Sequence, residues 1–138
     1  MTPTQKKLIR ASYHELLPHV QRAGTLFYQR LFEIEPAFEQ LFQHDIDAQG
    51  QKLFQTIGVA VEYLDVLERV RPTLKQMGER HERYGVRPAD YAVVEETLYW
   101  TFEAVLGDAF TAEVKSSWEA IYAYLVTAMT NTPSVKHY

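Results

Sequence analysis

Residues 72–91 read PTLKQMGERHERYGVRPADY, and this stretch decides the fold. Pro72 suits the first turn of a helix, and Met77 and His81 then recur at helical spacing on one face. Gly85 follows the last periodic residue, where a glycine commonly ends a helix. The stretch therefore predicts a short helix whose inward face carries a single histidine.

The helical face of His81 sets it apart from the other histidines of the chain. It is flanked by charged neighbours, but it shares its face with Leu74, Met77 and Gly78. A glycine one turn before a histidine would let a flat, bulky group lie close to the helix. A neutral imidazole on an apolar face is also how a haem iron is held from its proximal side. We therefore expect His81 to be a metal ligand and Met77 to contact the same cofactor, although most histidines are surface or satisfied core residues.

The flanking segments are also helical. Thr2 to Gln5 form a capping signal, Pro18 separates a first helix from a second, and a third short turn begins near Pro36. Helical spacing resumes at Gln49, and two long helices follow, from Pro88 to about Leu106 and from Thr111 to about Thr130. The sequence predicts a single all-α domain over residues 1–138, with about seven helices packed orthogonally.

Composition narrows the possible functions. The 138 residues carry a net charge of −4 without a basic stripe, so neither nucleic acid nor an anionic membrane is an expected partner. No cysteine is present, which excludes disulfides, thiolate ligands and iron–sulfur clusters. No apolar run approaches the roughly 18 residues of a membrane span, and the N-terminus is charged where a signal peptide is apolar, so we expect a cytoplasmic protein.

A second candidate cluster contains two polar side chains, Tyr28 and Gln49, with Leu53 beside them. Gln49 and Leu53 stand four apart on one helical face, and Tyr28 comes from another helix. An apolar pocket with one or two donors suits the stabilisation of bound oxygen. The alternative is a tyrosine at the core edge and a glutamine in water. A di-iron bundle is disfavoured because its repeated Glu-x-x-His motif is missing.

Taken in order, these motifs resemble the bacterial single-domain globins, a group similar to the haem domain of flavohaemoglobins. The matching pieces are TLFYQRLF at 25–32, PAFEQLF at 36–42, the step from Gln49 to Leu53, and GERHERYGVRPADY at 78–91. Trp118 and Tyr122 also fall where the last helix of that group has a Trp and a Tyr. The resemblance implies a globin fold that holds one haem b.

The resemblance also assigns roles to individual residues. His81 would be the proximal ligand, Tyr28 would donate to bound oxygen, and Phe42 would be wedged against the haem face. Gln49 and Leu53 would line the distal pocket. Tyr91 would lie behind the proximal histidine. Where flavohaemoglobins carry a glutamate near the end of the last helix, this chain has Pro133, so a proximal charge relay is not carried over.

The function that the resemblance implies is reversible binding of dioxygen, nitric oxide and carbon monoxide. Conversion of nitric oxide to nitrate would need a separate flavin reductase, because the sequence contains no recognisable flavin or nicotinamide site. An alternative is a gas sensor or a six-coordinate electron-transfer globin, with Tyr28 or His44 as the sixth ligand. A haem-free interaction module is disfavoured because His81, Phe42 and Tyr28 are all retained.

Overall fold

The computed structural model describes residues 1–41 and 46–130, and in these ranges the chain is helical with no strand. Its helices are α1 (Pro3–Leu16), α2 (Val20–Ile34), α3 (Ile46–Glu62), α4 (Arg71–Arg83), α5 (Asp90–Leu106) and α6 (Ala112–Thr130). Short 3₁₀ segments cover Leu17–His19, Pro36–Leu41, Leu64–Val70 and Gly107–Ala109. The all-α prediction is confirmed. Within the described ranges, no helix combines the length and apolarity needed to cross a membrane.

The helix ends follow the local signals of the sequence. The Thr2 hydroxyl accepts from the Gln5 amide at 3.1 Å, and the Gln5 side chain accepts from the Thr2 amide at 2.9 Å, which completes a capping box at α1. After α4, Gly85 adopts φ +93°, which side chains with a Cβ rarely tolerate. The predicted start of α5 at Pro88 was two residues early, because the Asp90 carboxylate accepts from the Arg87 amide at 2.9 Å and holds the preceding turn.

Two glycines bring α2 and α3 into backbone contact. A Cβ placed on Gly24 would lie 3.1 Å from the Cα of Gly50, and one placed on Gly50 would lie 2.9 Å from the Cα of Gly24. Side chains at this crossing would hold the helices apart, so only glycine allows it. The contact fixes Tyr28, one turn beyond Gly24, relative to Gln49, which directly precedes Gly50.

The first and last helices are joined through a buried polar contact. The Trp118 indole N–H donates to the Ser12 hydroxyl at 2.8 Å, and that hydroxyl donates in turn to the Leu8 carbonyl at 2.7 Å. The Trp118 ring also packs on Phe102, with centroids 4.7 Å apart. This satisfies the indole donor inside the core and ties α1 to α6 and α5.

The expected role of Gly78 was wrong. A Cβ on Gly78 would collide with the backbone of Met129, whose Cα would lie 2.8 Å away. The space beside Gly78 is therefore filled by the end of α6 and is not open to a flat ring. Gly78 serves the crossing of α4 with α6.

Candidate functional site

A mostly apolar crevice opens between α2 and α3 on one side and α4 and α5 on the other. It consists of an outer cavity of about 260 Å³ and an adjoining inner cavity of about 150 Å³ that reaches α6. Residues lining both cavities join them into one site: Leu53, Thr56, Met77, His81, Tyr91 and Val94. Tyr28 and Gln49 line the outer cavity. The predicted site residues thus surround one crevice, except Phe42 and His44, which lie outside the described residues.

A hydrogen bond to the main chain determines which ring nitrogen of His81 donates. Its side chain is half-buried in the last turn of α4, and Nδ1 lies 2.7 Å from the Met77 carbonyl oxygen. A carbonyl only accepts, so Nδ1 carries the proton and donates. In the neutral ring Nε2 then keeps its lone pair, which is the form that binds a metal.

Tyr91 lies beside the His81 ring and is held from α6. The two ring centroids are 6.4 Å apart, with the planes inclined by 29°. The Tyr122 hydroxyl donates to the Tyr91 carbonyl oxygen at 2.6 Å. Burial raises the pKa of Tyr91, and the negative charges of Glu82 and Asp90 raise it further. Tyr91 therefore remains a neutral phenol next to the histidine.

Tyr28 stands across the crevice from α4 and is almost completely buried, with 4% of its surface exposed. Its hydroxyl lies 3.5 Å from the Gln49 carbonyl oxygen, a long hydrogen bond. Its ring packs edge-on against Phe27, with centroids 5.0 Å apart. Burial raises the pKa of Tyr28 to about 12, so the hydroxyl remains a donor at neutral pH. Gln49 thus contacts Tyr28 through its main-chain carbonyl, and its half-buried side chain lines the cavity.

The mouth of the crevice carries charges that the sequence analysis did not single out. Lys52 lines the outer cavity and is exposed. Lys52 follows Gln49 by three residues, and this helical spacing could have predicted that both line the cavity. A lysine at that position is, however, equally typical of a solvent-exposed helix face. Asp90 lines the same cavity, is buried at 6% exposure, and pairs with Arg87 at 3.3 Å.

The residues present fit a haem. An apolar crevice matches the tetrapyrrole ring, and the free Nε2 of His81 matches the need of the iron for an axial ligand. Lys52, an exposed cation that lines the outer cavity, would pair with the anionic propionates. His81 is the one residue of the described lining able to supply a neutral nitrogen ligand.

Comparison with known proteins agrees with the all-α fold. The family model described as Globin matches residues 25–129. Neuroglobin-1 of Oncorhynchus mykiss is 31% identical over 147 aligned positions, covering 94% of this chain and 90% of that protein. A flavohemoprotein of Halalkalibacterium halodurans is 29% identical over 120 positions, covering 85% of this chain and 29% of that longer protein.

A solved structure matches over nearly the whole chain. It is an engineered carbene transferase from Rhodothermus marinus, a predicted nitric oxide dioxygenase. It superposes with a TM-score of 0.84 at 24% identity, covering 95% of this chain and 92% of that one. The structural match confirms the expected fold, and the flavohemoprotein match confirms the resemblance drawn from the motifs. The similarity to neuroglobins was not anticipated from the sequence.

Proposed function

Because the chain belongs to the globin family, we propose that it is a haem b protein that reversibly binds dioxygen and other diatomic gases such as nitric oxide and carbon monoxide. The observation that carries the proposal is the pairing of His81, whose Nε2 is free, with the buried donor Tyr28 across one apolar crevice. Haem, when bound, supplies an open coordination position for a gas and exchanges one electron.

On the proximal side, the protein orients the ligand. The bond from Nδ1 to the Met77 carbonyl, 2.7 Å long, fixes the plane of the His81 ring and makes Nε2 more basic. Tyr91 flanks the same ring, and Val94 extends the apolar wall along α5. These contacts keep the imidazole in one orientation before any cofactor enters.

On the distal side, Tyr28 distinguishes between gases. A polarised diatomic molecule in the outer cavity accepts a hydrogen bond from the Tyr28 hydroxyl, whereas a nonpolar one gains little from it. Gln49 adds a second polar group and Leu53 closes the wall. We expect this pocket to favour dioxygen over carbon monoxide more than an apolar pocket does.

The same pocket suits nitric oxide dioxygenation with an external electron donor. One dioxygen, one nitric oxide and one electron give one nitrate ion, with both oxygen atoms of dioxygen ending on nitrogen. The tyrosine holds dioxygen in the crevice where nitric oxide meets it. A separate flavin reductase is the proposed source of the electron, and the similarity to a flavohemoprotein supports this chemistry.

The test of the proposal is titration of the purified chain with haemin. The expected result is binding of one haem per chain and a ferrous spectrum with one histidine ligand. His81→Gly should lose haem or accept imidazole into the space left, while His19→Gly, which changes an exposed histidine, should bind haem normally. An unchanged ferrous spectrum in His81→Gly would refute the assignment of the ligand.

Reaction with nitric oxide tests the proposed dioxygenation activity. Oxygenated protein mixed with nitric oxide should form one nitrate per chain, and repeated turnover should require a flavin reductase with NADH. If no nitrate forms even in a single turnover, the result would favour the gas-sensor alternative. A deoxy ferrous spectrum with two protein ligands would instead favour the six-coordinate alternative, in which Tyr28 or His44 occupies the sixth position.

A further inference from the structure

Glu95 is a glutamate with no exposed surface in the middle of α5. Burial of a carboxylate is costly unless its charge is stabilised, and the gas-binding site does not require such a residue. The Tyr99 hydroxyl donates to Glu95 Oε2 at 2.6 Å. That distance falls in the range typical of a hydroxyl donating to an ionised carboxylate.

Two tyrosines, Tyr99 and Tyr122, lie close to Glu95. Burial raises the pKa of Tyr99 strongly, and the hydrogen bond and charge of Glu95 raise it further. Burial also raises the pKa of Tyr122 well above its usual value. Both phenols therefore keep their protons.

A short series of contacts connects Glu95 to the His81 side of the crevice. Glu95 lies one helical turn beyond Tyr91, so the Tyr91 carbonyl that accepts from Tyr122 is also the i−4 acceptor of the Glu95 amide. The Tyr91 ring is in turn 6.4 Å from the His81 ring. The four residues from Tyr91 to Glu95 rise about 6 Å along the helix, so we take the separation between the Glu95 carboxylate and the His81 imidazole to be on the order of 10 Å.

We infer that Glu95 supplies a buried negative charge that lowers the reduction potential of the iron held by His81 and so favours its ferric form. The inference rests on the proposed function. Glu95 would act on the metal through its electric field, with Tyr91 and Tyr122 in between, and would not contact the metal. At a separation on the order of 10 Å and an effective dielectric constant of about 20, one unit charge changes a one-electron equilibrium roughly tenfold.

Glu95→Gln tests the inference because glutamine keeps the shape and the acceptor for Tyr99 while it removes the charge. The matched control is Glu96→Gln, the same change at the next residue, which is exposed. Both holoproteins and the wild type are titrated spectroelectrochemically. Glu95→Gln should raise the equilibrium constant for reduction roughly tenfold, equivalent to about 59 mV for one electron, and Glu96→Gln should change it less than twofold.

Each outcome bears on the inference. A potential in Glu95→Gln equal to that of Glu96→Gln, with haem bound normally, would overturn the role of Glu95 and leave the proposed function intact. If the wild-type chain binds no haem, both fail. If Glu95→Gln does not fold, Tyr99→Phe takes its place: removing the hydroxyl that stabilises the anion should also raise the potential, and an unchanged potential there would overturn the inference. Glu95→Asp, which keeps the charge, should stay near the wild-type value.

Discussion

Replacement of Tyr28 by phenylalanine removes one hydroxyl and leaves the ring in place. The side chain is 4% exposed, so little bulk water reaches its hydroxyl. A hydrogen bond to a charged or strongly polarised acceptor contributes about 1.5 to 3 kcal/mol. Since each 1.4 kcal/mol is a tenfold change, Tyr28→Phe should speed dioxygen dissociation roughly 10- to 100-fold.

The assay is stopped-flow displacement of dioxygen by carbon monoxide, with carbon monoxide dissociation measured in the same variants. Carbon monoxide is less polar when bound and should change much less. Tyr13→Phe is the control, because its hydroxyl donates to the Phe54 carbonyl at 3.0 Å and Tyr13 does not line the crevice. Equal effects of Tyr28→Phe on both gases would mean that Tyr28 acts through packing, and the donor assignment would be wrong.

The pKa of Tyr28 gives this prediction a pH dependence. Burial raises the pKa to about 12, so the hydroxyl should donate unchanged between about pH 6 and pH 9, and the ratio of wild-type to variant rates should stay constant there. A folded-state pKa above the unfolded value contributes stability that is complete below about pH 10 and is lost as the pH rises toward 12. A ratio that falls with pH below 9 would contradict the burial of Tyr28.

The remaining predictions concern the cofactor edge and the two helix crossings. Lys52→Gln should speed haem transfer to an apoprotein acceptor by roughly two- to fivefold, since an exposed ion pair contributes little, while Lys7→Gln on the exposed face of α1 should leave the rate unchanged. Gly50→Ala should lower the free energy of unfolding by about 1 to 3 kcal/mol in urea denaturation, because its Cβ would lie 2.9 Å from the Gly24 Cα. Trp118→Phe should cost about 2 to 4 kcal/mol in the same assay, because it removes the 2.8 Å bond to Ser12 and leaves a cavity; a loss below 0.5 kcal/mol would refute that contact.

The helices were predictable where a local signal marks each end. The capping box at Thr2 and the glycines at 85 and 107 act through neighbouring backbone atoms, so the sequence specifies them directly. The segment Leu64–Val70 was not assigned an element, although it forms 3₁₀ turns. Its break at Val66, with φ −139°, has no proline or glycine to announce it. Irregular turns of this kind depend on the packing of the helices around them.

The site was predictable where helical spacing sets the face of a residue. His81 and Met77 were assigned to the site because their spacing placed them on an inward face, Tyr91 was assigned to it by the resemblance, and all three line the crevice. The hydrogen bond from His81 to Met77 follows from the same i, i+4 geometry. The burial of Glu95 was harder to predict, because a glutamate in a helix usually faces water, and only the packed structure shows that this one has no exposed surface.

The helix that carries His81, α4, depends on α6 for its placement. Of its own residues only Leu74 and Gly78 are buried, and in the described part of the chain its main contacts are with α6 and the Leu64–Val70 segment. A glycine at position 78 lets α6 approach to backbone distance at Met129, which the sequence did not reveal because the two residues are far apart in the chain. The same helix holds Tyr91 through Tyr122. The angle at which His81 faces the crevice is therefore set by α6, through its contacts with both α4 and Tyr91 of α5, so the last helix would position the proposed ligand without supplying a ligand itself.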